Sequence, residues 1–96
     1  MSHLKARRST RAMNFYCNDP SANEVSLVGD FNGWNPKANP MRQQPDGVWF
    51  TTVEMHHGHQ RYAFLIDKVL SLDPMAQGVT KNDEGDRVSL VAVTGF

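Results

Sequence analysis

Three groups of side chains in this sequence have the functional groups of catalysis or metal binding. His56, His57 and His59 crowd around Gly58. Imidazoles hold zinc, but zinc sites add clustered cysteines or a helical HExxH spacing, and neither is present. Neighbouring strand residues also point to opposite faces, so a solvated turn is expected there. Asp83, Glu84 and Asp86 flank Asn82 and Gly85. Such an oxygen-rich run suits calcium, yet its spacing departs from the EF-hand loop and reads as a flexible acidic loop. Cys17 is the single cysteine, so it has no disulfide partner within the chain. Beside Phe15 and Tyr16 it reads as a small buried hydrophobe. There is no GxSxG elbow, glycine-rich phosphate loop or cysteine pair. Glycoside hydrolysis needs two carboxylates across a cleft of roughly 5–9.5 Å, and a chain this short has little material to build one. The expectation is a non-catalytic domain with no cofactor and no metal.

The most distinctive run is Val28-Gly29-Asp30-Phe31-Asn32-Gly33-Trp34-Asn35-Pro36. It reads as a strand end turning through two glycines into a loop that presents Phe31 and Trp34. Phe31 is expected to anchor the loop in the core. Trp34, among Asn, Gly and Pro, has few neighbours to bury it. An exposed indole offers a flat electron-rich face to the C–H side of a sugar ring. The amides of Asn32 and Asn35 are then placed to pair with hydroxyls. The alternative is that Trp34 folds back over one end of the domain, and the residues alone leave both open.

The elements that must hold this loop are strands. Met13–Cys17 reads as a short edge strand and Glu24–Gly29 alternates, with Val25 and Leu27 on one face. Residues 30–46, rich in Asn, Pro and Gly, read as a long ordered loop. Val48–Met55 alternates again, placing Trp49, Thr51, Val53 and Met55 together. His56-His57-Gly58 reads as a hairpin connection into Gln60–Ile66, where Tyr62, Phe64 and Ile66 share a face. Asp67-Lys68 predicts a tight turn into Val69–Leu72, which Asp73-Pro74 ends. A polar loop over 77–86 leads to a last strand, Arg87–Thr94. No segment has a helical period. The pattern predicts an all-β, immunoglobulin-like sandwich of about six to eight antiparallel strands.

Bulk properties narrow the partners. The 96 residues fit one domain. No apolar run approaches the roughly 20 residues of a membrane span. The opening residues lack the apolar centre of a secretory signal, so the expected location is cytoplasmic. Residues 1–12 carry four of the ten basic side chains and none of the ten acidic ones. They read as a basic N-terminal arm, with the folded domain over 13–96. The acidic balance of that domain argues against a nucleic-acid partner.

With these residues in view, the chain resembles the glycogen-binding, isoamylase N-terminal-like domains of carbohydrate-binding module family 48, a group of early-set β-sandwiches. The likeness runs from about Asn23 to Val93. It rests on VSLVGDFNGWNP, DGVWFTTVEM, GHQRYAFLID, LDP and the final hydrophobic strand. It implies non-catalytic binding of α-1,4-linked glucose chains such as glycogen, starch or maltooligosaccharides. It also implies relatives fused to branching and debranching enzymes and to the β subunit of AMP-activated protein kinase. Trp34 matches the tryptophan that such binders use as a sugar platform. The kinase-type domains carry a lysine where this sequence has Ala63, and a second platform tryptophan where it has Leu70. Their loop threonine and asparagine fall near Asp86 and Val88. Arg61 and Lys68 are the candidates to replace the missing cation. The candidate carbohydrate-binding set is therefore Trp34, Asn32, Asn35, Arg61, Lys68 and Leu70. The alternative, motivated by Ala63 and Leu70, is a structural or protein-interaction sandwich that has lost the sugar site. It would serve as a homodimer or as a subunit of a glycan-metabolising assembly.

Overall fold

The computed structural model of the protein describes residues 10–94. Eight strands follow one another: β1 (Thr10–Cys17), β2 (Val25–Gly29), β3 (Arg42–Gln43), β4 (Trp49–His56), β5 (Gly58–Ile66), β6 (Val69–Ser71), β7 (Gly78–Lys81) and β8 (Arg87–Val93). One sheet has the order β1-β4-β3. The other has the order β2-β5-β8-β7, with β6 also paired to β5. Every strand pair is antiparallel. The domain is the all-β sandwich that the alternation predicts. No helix among the described residues is long and apolar enough to cross a membrane.

Alternation explains which faces meet. Trp49, Val53 and Met55 of β4, Tyr62 and Phe64 of β5, and Val91 and Val93 of β8 point into one core, joined by Phe15, Val25 and Leu27. Phe15 and Tyr62 meet edge-on with ring centroids 4.9 Å apart. Leu27 and Phe64 are essentially sealed from solvent, so truncating either to Ala is expected to cost about 2–5 kcal/mol.

Four sequence expectations are corrected. β1 begins at Thr10, and Thr10–Ala12, read as part of the basic arm, pair with Glu54–His56; the remainder of that arm, residues 1–9, lies outside the described residues. The His56-His57-Gly58 connection is not a hairpin, because β4 and β5 belong to different sheets. It is a corner between sheets, turned with Gly58 at φ 120°. A tight glycine connection serves either geometry, so the local residues do not choose between them. The 30–46 loop contains a 3-10 turn over Asp30–Asn32, and β3. The polar 77–86 loop contains β7, an edge strand whose Val79 is exposed and so gives no inward pattern.

One polar cluster is buried with the core. The Tyr62 hydroxyl donates to Asp73 at 2.6 Å, and the Asp73 N–H donates to the Ser89 hydroxyl at 2.8 Å. The Met75 N–H donates to the second Asp73 oxygen at 2.9 Å. This network ties β5 and β8 to the Asp73-Pro74 break that follows β6, and satisfies a carboxylate that would otherwise be costly to bury.

Candidate functional site

The five-stranded sheet also buries residues on its outer face. Val28 of β2, Ala63 of β5 and Val88 of β8 form a second, smaller cluster, and Trp34, Leu65 and Leu70 pack against it. Val28 and Ala63 are cross-strand partners, as are Leu65 and Leu70. The strands thus lay an aliphatic floor, and the loop after β2 folds over it.

That loop is held by the Asn32 amide. Its Oδ1 accepts from the Gly29 N–H and the Trp34 N–H, both at 3.1 Å. Its Nδ2 donates to Leu27 O at 3.0 Å and to Asn39 Oδ1 at 2.8 Å. Gly33 and Trp34 then take φ values of 66° and 60°, in the left-handed region. Glycine accepts this freely and tryptophan does not. Gly29 is required for a different reason: a Cβ there would lie 2.5 Å from Arg61 O and 2.6 Å from the Phe31 ring.

The outcome is a recess of about 380 Å³ lined by Trp34, Val28, Leu65 and Leu70, with Gly33 and Pro36 on the loop side and Asn82, Asp83, Glu84 and Asp86 opposite. The acidic loop, expected to be flexible, is a hydrogen-bonded turn. Asn82 Oδ1 accepts from the Glu84 N–H at 3.0 Å and the Asp86 N–H at 2.9 Å. Gly85 takes φ 87°. A second recess, also of about 380 Å³, shares Pro36 and Leu65 and is lined as well by Glu24, Ser26, Lys37 and Lys68. The two adjoin as a groove whose first recess carries Asp83, Glu84 and Asp86 and whose second carries Glu24 and the two lysines.

Asp30 is the electrostatic anchor of this region. Its Oδ2 accepts from the Arg61 backbone N–H at 2.9 Å and from Arg61 Nε at 3.1 Å, while Oδ1 accepts from Arg61 Nη2 at 3.0 Å. Arg61 Nη1 reaches Lys81 O and Asp83 Oδ1, each at 3.1 Å. Partial burial pushes the Asp30 carboxyl up. The Arg61 hydrogen bonds and charge outweigh it, with help from the Trp34 indole, and hold the group below its ordinary value. An ionised carboxylate committed to a fork is an acceptor and positioner rather than a proton donor.

The candidates therefore separate. Trp34 and Leu70 line the first recess and Lys68 the second. Asn32 makes its side-chain hydrogen bonds within the loop, and Arg61 makes its own to Asp30, Lys81 and Asp83. Asn35 lines neither recess, and its Oδ1 accepts from the Lys37 N–H at 2.9 Å. Residues that sequence reasoning missed are Asp30, Val28, Leu65 and Pro36. Only the apolar alternation at Val28 and Leu65 marked them, and it did not say which face carried the site. The histidines lie at the far end of β4, at the corner and in β5. Among the described residues no three His, Cys, Asp or Glu are grouped to hold a metal.

Residues 3–76 match the family described as Carbohydrate-binding module 48 (Isoamylase N-terminal domain). The chain is similar to 1,4-alpha-glucan branching enzyme GlgB 2 of Xanthomonas campestris pv. campestris, 37% identical over 71 residues, covering 69% of this chain and 10% of that enzyme. It is also similar to 1,4-alpha-glucan branching enzyme GlgB of Novosphingobium aromaticivorans, 36% identical over 66 residues, covering 68% and 9%. A third relative, 1,4-alpha-glucan branching enzyme GlgB of Burkholderia pseudomallei, is 46% identical over 48 residues, covering 49% and 6%. The chain spans about a tenth of the length of the first of these, and less of the others.

Proposed function

The chain belongs to the carbohydrate-binding module 48 family, and we propose that it is a non-catalytic module that binds α-1,4-linked glucan. The observation that carries this reading is Trp34, set beside an aliphatic floor in a recess of about 380 Å³. Stacking on the indole supplies apolar contact. Glu84 and Asp86, which line the same recess, supply acceptors for sugar hydroxyls, a different role from the donor that the absent lysine would have been. Leu70 gives the second contact as an aliphatic rather than an aromatic surface. In a longer enzyme, such a module holds polymer close to chemistry performed elsewhere.

Calorimetric titration with a maltooligosaccharide at millimolar concentration is expected to release or absorb heat, and Trp34→Ala to abolish it. A silent wild-type titration overturns the proposal.

One observation favours a protein-interaction reading. On the outer face of the three-stranded sheet, Tyr16 is 55% exposed. Its ring lies 5.1 Å from that of its cross-strand partner Phe50. An exposed tyrosine stacked beside a half-buried phenylalanine suits a docked protein. Sedimentation that changes with Tyr16→Ser, together with a silent glucan titration, would establish that reading instead.

A further inference from the structure

We infer that the recess between Lys37 and Lys68 receives an anionic substituent, a phosphate monoester, carried by the sugar chain in the adjoining groove. The inference rests on the glucan reading and adds a ligand class to it. The recess shares Pro36 and Leu65 with the Trp34 recess. A chain held beside Trp34 therefore lies next to the lysines' recess.

Lys68 is held there by its backbone. Asp67 and Lys68 have φ values of 49° and 71°, the two left-handed residues of a tight turn. Asp67 Oδ1 accepts from the Asn23 N–H at 2.8 Å and the Glu24 N–H at 2.9 Å. The Asp67 N–H donates to Glu24 O at 2.9 Å. The turn is stapled to the residues just before β2. Lys37 lines the same recess, its N–H donating to Asn35 Oδ1.

Among the described residues, neither lysine ammonium is in an ion pair. Glu24 lines the same recess, leaving one uncompensated positive charge, and Ser26 adds a hydroxyl. The adjoining Trp34 recess, at its own end of the groove, is lined by Asp83, Glu84 and Asp86, of which Arg61 engages only Asp83. A phosphate monoester, with about −1.5 to −2 charge near neutral pH, is repelled from that end and drawn to the lysines. The groove therefore gives a phosphorylated chain one favoured placement.

The test compares a maltooligosaccharide with the same chain carrying a 6-phosphate, in calorimetry and amide NMR at low and high ionic strength. The phosphorylated ligand is expected to bind about fivefold tighter at low salt, as fits two exposed charge pairs, and to lose this advantage at high salt. Lys37→Gln with Lys68→Gln should erase the difference between the two ligands, whatever it does to the affinity for the neutral chain. Glu24→Gln should widen it. Equal affinity for the two ligands, or an advantage that survives the double variant, overturns the inference and leaves the glucan reading intact. Glucose 6-phosphate shifting the Lys68 amide while neutral chains shift nothing would sink the glucan reading and, with it, the chain-borne ester. Inorganic phosphate matching glucose 6-phosphate would assign a free-anion site and overturn the sugar-ester claim.

Discussion

Asp30 and Trp34 are four residues apart in one loop, and the indole Nε1–H donates to Asp30 Oδ1 at 3.3 Å. The same oxygen accepts from Arg61 Nη2. The tryptophan that faces the groove is thus oriented through a carboxylate that is itself held by β5. Ring orientation and strand position are coupled through one acidic side chain.

This coupling predicts a pH response. The folded-state value of Asp30 lies below its ordinary 3.8. Its contribution is therefore fully present above that value, and is lost as pH falls through the lower folded value. The Trp34 indole N–H resonance should titrate below pH 3.8, in step with weaker glucan binding. An Asp30→Asn variant should remove the titration. A midpoint at or above 3.8 would contradict the assignment.

Backbone strain at Trp34 predicts that binding and stability separate. Trp34→Gly and Trp34→Ala both remove the indole, so both should lose glucan binding. Glycine accepts φ 60° and alanine does not. Relief of the left-handed penalty is worth about 1–2 kcal/mol, offset in part by the added freedom of the unfolded chain. Trp34→Gly should therefore melt at the higher temperature of the two. The reverse order would show that residue 34 carries no such strain.

Burial, and then the bond to Asp73, raise the Tyr62 hydroxyl above its ordinary 10.0. A group with a raised folded value contributes stability that is present below pH 10.0 and fades as pH rises beyond it. Denaturant titrations should show this alkaline loss in the wild type and a flatter profile in Tyr62→Phe. At neutral pH that variant is expected to lose about 1–3 kcal/mol, the cost of leaving Asp73 short of a donor. An unchanged alkaline slope would argue against the link.

Cys17 should be inert. Burial, and then the negative charges of Asp19 and Asp73, push its thiol up to about 11. A disulfide-exchange reagent at pH 8 should label it only after denaturant is added. Labelling at the same rate in the folded protein would place it at the surface.

The strand pattern was readable because it is local: alternation over five to nine residues shows which side chains share a face. Trp34 was readable for the same reason, since Asn, Gly and Pro around an indole mark an exposed turn. The role of Arg61 was not. It depends on the register that sets Gly29 opposite Tyr62, which brings Asp30 beside β5 from 31 residues away. Asn32 looked like a ligand for a similar reason, because its four partners exist only once the loop has closed on Leu27 and Asn39. Both Arg61 and Asn32 make side-chain hydrogen bonds within the fold. The β4–β5 corner was hidden because a glycine turn is equally at home between paired strands and between sheets.

The two apolar clusters lie on opposite faces of one sheet, with Tyr62 and Phe64 pointing one way and Ala63 and Leu65 the other. Successive β5 residues therefore serve different surfaces of the molecule. Substitutions at Leu65 or Leu70 are expected to reshape the outer recess with little effect on the main core, so the two faces of one sheet can be altered separately.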